Sequence, residues 1–274
     1  MARALRRSFA HLLLVLFAIT AILPFIWLVI GSLKTNIDVL TASAFSLPPV
    51  PQWVNYLHAW TLGGFHKYFK NSAIIVTISD ALVLCLAAPI GYAFARRRFF
   101  GQHVLFSLII MGMVLPPQIA LTSLFRLLKG LGVLNTYLAL ILPYAAFHLS
   151  LCVFVLRGYF AELPVEFSEA AQLDGASAWQ IFLRILLPLT RPMLVSLGVL
   201  NFIWMWNEFL FAVSFIYTDD LKTIPAGLFS FVGREYSDLG AMAAGIVLSM
   251  IPVLILYLCF QRQIVRGLIG GALK

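Results

Sequence analysis

The chain has 274 residues, of which 62% are hydrophobic and 11% charged. That balance excludes a water-soluble globular domain and a disordered segment, and long apolar runs recur from end to end. The net charge of +8 is carried by short Lys/Arg clusters between those runs, a mark of membrane topology and not of nucleic-acid binding.

In chain order, Arg3, Arg6 and Arg7 precede a first apolar run at about 10–30. The start resembles a signal peptide, but the run is about twice the length of an h-region and no A-x-A site follows, so a retained span is expected. A polar segment, 32–71, follows with Pro48, Pro49, Pro51 and the aromatics Trp53, Tyr56, Trp60 and Phe65. It is too short and irregular for a domain of its own. It suits either a lid of small helices or a docking surface for an external partner.

The second span is expected at 72–95 and ends at Arg96-Arg97-Arg98; Pro89 and Gly91 mark a kink in it. Asp80 lies in this span one turn after Thr77, which points to local polar pairing and no transport role. The third span, 103–121, carries Pro116-Pro117 near its outer end, and the fourth covers 137–156 around Pro143. The fifth, 193–217, contains NFIWMWNEFLFAVSF. A carboxylate in a span is costly against lipid, so Glu208 is expected to face protein or a watery cavity. Asn201, Trp204, Asn207 and Glu208 are the candidate lining of a translocation path, with a helix–helix hydrogen bond as the alternative role for Glu208. The sixth span, 241–260, leads into a tail with Arg262, Arg266 and Lys274.

Six spans place both termini on one side of the bilayer. With that side cytoplasmic, about twelve of the nineteen Lys and Arg lie inside, as the positive-inside rule requires. The expected fold is therefore all-α: a polytopic membrane protein, one transmembrane domain over 1–274, with six transmembrane helices.

Between spans four and five lies the stretch 163–190, LPVEFSEAAQLDGASAWQIFLRILLPLT, with Glu162 just before it. Pro164 fits the first turn of a helix, and Glu166 and Glu169 then favour its positive end. Val165, Phe167, Ala170, Ala171 and Leu173 can form an apolar side, and Gly175 is placed to end the helix. A second helical segment runs from Ala178 to Leu187, before Pro188. Such a helix either lies flat at the headgroups or docks in a groove of a soluble partner.

Cys85, Cys152 and Cys259 lie in apolar runs without metal-ligand spacing, and the five histidines are scattered. There is no GxxxxGK[ST], HExxH or GxSxG, so the chain is expected to be no enzyme and to bind no cofactor or metal; any ATP and Mg²⁺ belong to another polypeptide. No strong internal repeat of the kind seen in secondary carriers is visible.

Glu169-Ala170-Ala171, three residues, Gly175, nine residues, Ile185, one residue, then Leu187-Pro188 resembles the EAA signature of permease subunits in bacterial ABC importers. The resemblance covers nearly the whole chain. GSLKTN, KYFKNSAIIV, GYAFARRRFFG, LPPQIALTSLFRLLKGLGVLNTYLALILPY, WNEF and the closing RGLIGGALK are similar to carbohydrate-importer permeases of the maltose type, in particular the G subunit. It implies the type I ABC importer permease fold in the bacterial inner membrane. It also implies a second, different permease, two ATPase subunits and an extracytoplasmic solute-binding protein. Glu169, Ala170, Ala171, Asp174, Gly175, Ile185 and Pro188 are then the residues of a cytoplasmic coupling helix, assisted by residues 267–274. The cargo implied is a sugar or sugar-like solute, with glycerol phosphate or a polyol as the alternative. A secondary carrier would need coupling carboxylates at the midplane of repeated halves, for which the spans offer Asp80 and Glu208.

Overall fold

The computed structural model describes residues 2–232 and 238–272 of the chain, and these are helical with no β-strand among them. In chain order the first helices are α1 (Ala2–Ser32), α2 (Asn36–Thr41), α3 (Val54–Trp60) and α4 (Phe65–Arg96). They are followed by α5 (Gln102–Val114), α6 (Pro117–Gly130) and α7 (Leu138–Glu162). The loop holds α8 (Glu166–Leu173), α9 (Ala178–Ile181), a π-helical turn at Phe182–Leu186 and α10 (Leu187–Leu189). The chain continues through α11 (Arg191–Trp206), α12 (Leu210–Phe215), α13 (Ile224–Val232) and α14 (Leu239–Ala272).

Among the described residues four helices are long and apolar enough to cross a membrane: α1 from Phe9, α4, α7 and α14 to Gln263. Two bent pairs raise the number to six if each is one crossing: α5 with α6, at 104°, and Ala178–Leu189 with α11, at 70°. The third expected span, 103–121, is thus not one helix. Leu115 precedes a proline and Pro116 precedes another, and both are driven to extended backbone at ψ 116° and 132°. Pro117 can then start α6, where its missing N–H has no helical partner to lose. The fifth expected span, 193–217, is likewise interrupted after Trp206 and resumes at Leu210.

Two compact units contain these elements: residues 1–66 with 227–251, and residues 67–226 with 252–274. In the first unit the segment after α1 is a hydrogen-bonded cap. The last carbonyls of a helix lack partners within it. Asn55 supplies them here, its amide donating to the Ser32 and Lys34 carbonyls at 2.9 Å each. Lys34 is buried, and its ammonium donates to the Ser43 carbonyl at 2.7 Å and to Ser46 Oγ at 3.2 Å. Gly240, at the start of α14, lies against this knot: a Cβ there would come within 2.5 Å of Asn55 Nδ2 and 2.8 Å of the Lys34 carbonyl oxygen. Because one of those neighbours is backbone, Gly240→Ala is expected to cost about 1–3 kcal/mol of stability. A thermal melt of the full chain in detergent checks this; an unchanged midpoint would show that the knot yields freely.

In the second unit α4 and α7 cross closely at Gly91, where a Cβ would lie 3.0 Å from Leu156 Cβ and 3.1 Å from the Arg157 amide. Gly91 is therefore a helix contact, and α4 continues as one helix past Pro89. At one end of α4 the Asn71 amide donates to the Asp220 and Lys222 carbonyls at 2.8 and 2.9 Å, and Tyr137 donates to Asn71 Oδ1 at 2.6 Å. Lys67 pairs with Asp220 at 2.6 Å. At the other end of α4 stand the three arginines and the loop 163–190.

Candidate functional site

Everything that defines the loop is local chemistry and two ties to the helices behind it. α8 ends in a Schellman arrangement: the Ala176 amide donates to the Ala171 carbonyl at 2.9 Å and the Gly175 amide to the Gln172 carbonyl at 3.0 Å. That geometry needs a left-handed residue, and Gly175 supplies it at φ +79°. Two residues on, Ser177 and Gln180 form a reciprocal capping box that starts α9. Pro188 has no N–H for the Arg184 carbonyl four residues back, and the turn before it opens to π geometry, with the Leu187 amide on the Phe182 carbonyl.

The ties come from α4. Arg96 Nε donates to the Phe160 carbonyl at 2.9 Å, and Arg96 Nη2 donates to the Leu163 carbonyl. Tyr92 stacks on Phe182 at 5.1 Å between centroids, and Phe182 in turn meets Trp179 at 5.1 Å. The loop is thus fastened at both its beginning and its second helix to one continuous membrane helix. What it leaves outside is apolar: Val165 is 50% exposed, Phe167 46%, Trp179 58% and Leu173 91%. Glu166, Glu169 and Asp174 are exposed beside them. A helix packed for its own stability would turn such side chains inward. This one turns in Ala171 alone.

A second polar cluster lies inside the helices. The Asn201 amide on α11 donates to Asp80 Oδ1 of α4 at 3.0 Å, and its Nδ2 lies 3.3 Å from Cys152 Sγ of α7. Asn201 Oδ1 lies 3.0 Å from His148 Nδ1, and the His148 ring meets Trp204 edge-on at 4.7 Å. Three helices are therefore pinned through one carboxamide, where an unpaired polar group has no water to turn to. Asp80 also lines an apolar groove of about 300 Å³ with Leu84, Leu194, Gly198, Phe202 and Phe260. One turn beyond Trp204, Glu208 is buried, with its Oε2 accepting from Tyr144 Oη at 2.8 Å. Its carboxylate also accepts from the Phe211 and Ala212 amides at 2.8 and 3.2 Å, and so, from one residue before the N-cap Phe209, takes up two free N–H groups at the start of α12.

Residues 87–270 match the family described as the binding-protein-dependent transport system inner membrane component. That stretch includes the loop, its ties and both polar clusters except Asp80, which lies just before it. The chain belongs to this family. It is a permease subunit. The diacetylchitobiose uptake system permease protein NgcG of Streptomyces coelicolor is 35% identical to it over 97% of this chain and 89% of its own length. The trehalose/maltose transport system permease protein MalG of Thermococcus litoralis is 36% identical over 95% and 94%. A bacterial ABC transporter that imports the acidic polysaccharide alginate contains a chain with the same fold, at a TM-score of 0.83, 23% identity, and coverage of 96% of the permease and 97% of that chain.

Of the loop residues singled out in the sequence, the permease exposes Glu169, Ala170, Asp174, Gly175 and Pro188, half-buries Ile185 and buries Ala171. The side chains of residues 267–274, also assigned to ATPase contact, lie outside the described residues. Of the four in the fifth span, Asn201 and Glu208 are buried in the networks above, and Trp204 and Asn207 are exposed. Asn207 turns back on its own helix, donating to the Ile203 carbonyl at 2.7 Å. His148 and Tyr144 were not singled out, and Asp80 and Arg96 were noted without the partners they meet. Asp80 finds its partner 121 positions away in Asn201, not in Thr77.

Proposed function

We propose that this permease forms one half of the path by which a sugar or sugar-like solute enters the cell. An extracytoplasmic binding protein hands over the solute, a second and different permease supplies the other half, and two copies of a separate ATPase, which hold ATP and Mg²⁺, drive the cycle. The inner membrane is crossed with both termini in the cytoplasm, so that loop 163–190 meets the ATPase. What supports the coupling role is the exposed apolar end of α8, backed by ties to α4. A groove on a partner fits such a helix, with Leu173 as the anchor and the carboxylates at the rim. Closure of the ATPase dimer on ATP moves the docked helices. Arg96 and Tyr92 pass that movement to α4, and the state open to the outside gains population. The sugar assignment rests on the relatives, which are named for diacetylchitobiose and for trehalose and maltose.

Co-purification from the membrane in mild detergent tests this. The wild-type chain is expected to bring down a second permease and a soluble ATPase, and Leu173→Asp to lose the ATPase while keeping the other permease. Placing a charge in a desolvated anchor pocket costs several kcal/mol, enough to empty it. Recovery of the chain alone, or an undiminished ATPase yield with Leu173→Asp, would refute the coupling role.

A further inference from the structure

The arginine triplet satisfies the topology rule wherever its side chains point. Their arrangement does more. The chain folds back after α4 through Gly101 at φ +77°, and Gln102 Nε2 closes the turn on the Phe94 carbonyl at 2.9 Å. Arg96, Arg97, Arg98 and His103 then line a cavity of about 780 Å³ together with Arg157, which comes from α7. The Arg157 guanidinium is held over the Phe106 ring at 4.1 Å. No acidic side chain lines the cavity, and among the described residues none of these arginines has an ion pair. Four guanidinium groups around one space of ligand size, two of them held by Arg96's hydrogen bonds and Arg157's ring contact, call for an anion.

The surroundings select which anion. The cavity sits where one apolar helix ends and the next begins, and beside the arginines Phe99, Phe100, Val104 and Leu105 are exposed at 40%, 104%, 65% and 49%. Guanidinium groups next to outward-facing rings and aliphatic chains match a phosphate that carries acyl chains, not a free one. We propose that this cavity is a binding site for the headgroup of an anionic phospholipid of the phosphatidylglycerol type. Arg97, Arg98 and Arg157 hold the phosphate, and the apolar side chains lie among the acyl chains. Because Arg96 lines the same cavity, the headgroup seats against the tie between α4 and loop 163–190. The site is independent of which solute is carried.

The test uses the full chain with its co-purifying partners. Retained lipid is measured by native mass spectrometry after exchange into nanodiscs of phosphatidylcholine with a minor share of phosphatidylglycerol. Wild type is expected to retain phosphatidylglycerol over phosphatidylcholine. Two lost charges at about fivefold each lower that retention by roughly twenty-five-fold in Arg97→Gln/Arg98→Gln. Arg97→Lys/Arg98→Lys keeps most of it, and Lys129→Gln, on α6 and outside the cavity, keeps all of it. Millimolar inorganic phosphate is expected not to compete. Equal retention in the wild type and the double Gln variant overturns the proposal. So does displacement by inorganic phosphate, which marks a soluble-anion site. Loss of the ATPase from the double Gln variant with lipid unchanged marks a protein contact instead, and overturns it too.

Discussion

Gly175→Val is expected to reduce ATP-driven uptake by roughly tenfold or more while leaving the protein in the membrane. Gly175 sits at φ +79°, and nothing lies within 4 Å of where its Cβ would be. The penalty is therefore one of backbone conformation, about 1–2 kcal/mol for an ordinary residue and more for a β-branched one. The chain relieves it by giving up the Schellman bonds from Ala176 and Gly175, which fix the angle between α8 and α9. Since α9 is fastened to α4 through Tyr92 and Phe182, it is α8 that swings, and with it the exposed Leu173. A docked helix displaced by an ångström or two no longer fills its groove. Asparagine accepts the left-handed conformation, so Gly175→Asn is expected to keep most of the uptake. Labelled-solute uptake in vesicles, with ATPase stimulation by the loaded binding protein measured in parallel, decides the matter. Wild-type uptake and stimulation with valine would mean that the bend is not what aims the loop.

The largest stability effect is expected at Glu208. Its carboxylate accepts three hydrogen bonds at once, from the Tyr144 hydroxyl and from the Phe211 and Ala212 amides. Leucine in its place leaves a buried hydroxyl and two helix-end amides without acceptors. A lost cap costs about 0.5–2 kcal/mol and a stranded buried donor about 1–3 kcal/mol, so a loss of roughly 3 kcal/mol is expected for Glu208→Leu. Glu208→Gln keeps an acceptor oxygen for the amides and is expected to lose less than half of that. Thermal unfolding in detergent separates the two variants. Equal midpoints for Leu and Gln would show that the carboxylate carries no structural load and would return Glu208 to the translocation path alone.

The loop was legible in the sequence because each of its features acts over a few residues. Glu166 and Glu169 fall in the first turn of α8, Gly175 stops it, and Pro188 opens the turn before it, whatever the rest of the chain does; Pro164, expected in that first turn, lies two residues ahead of the helix instead. The long apolar runs were legible for the same reason: α1, α4, α7 and α14 are fixed by the absence of water around their backbones. Composition sees less well where a span is broken. The pair Pro116-Pro117 announces its 104° bend, but the stop after Trp206 has no Gly or Pro behind it. There the chain turns because Glu208 finds a tyrosine on α7 and then takes up free N–H groups at the start of the next helix.

What the sequence determined by itself is the class, the long unbroken spans and the shape of loop 163–190, all set by hydropathy and by backbone rules of short reach. Only the tertiary structure decided which polar group meets which. Asp80 meets Asn201, Glu208 meets Tyr144, Arg96 holds Leu163, and Arg157 joins the arginine triplet. Helical periodicity gives the direction of a side chain around its own axis. It says nothing of the neighbouring helix, because inside a bilayer every apolar face is equally content with lipid or protein, and the partner is chosen by close packing at small residues such as Gly91 and Gly198.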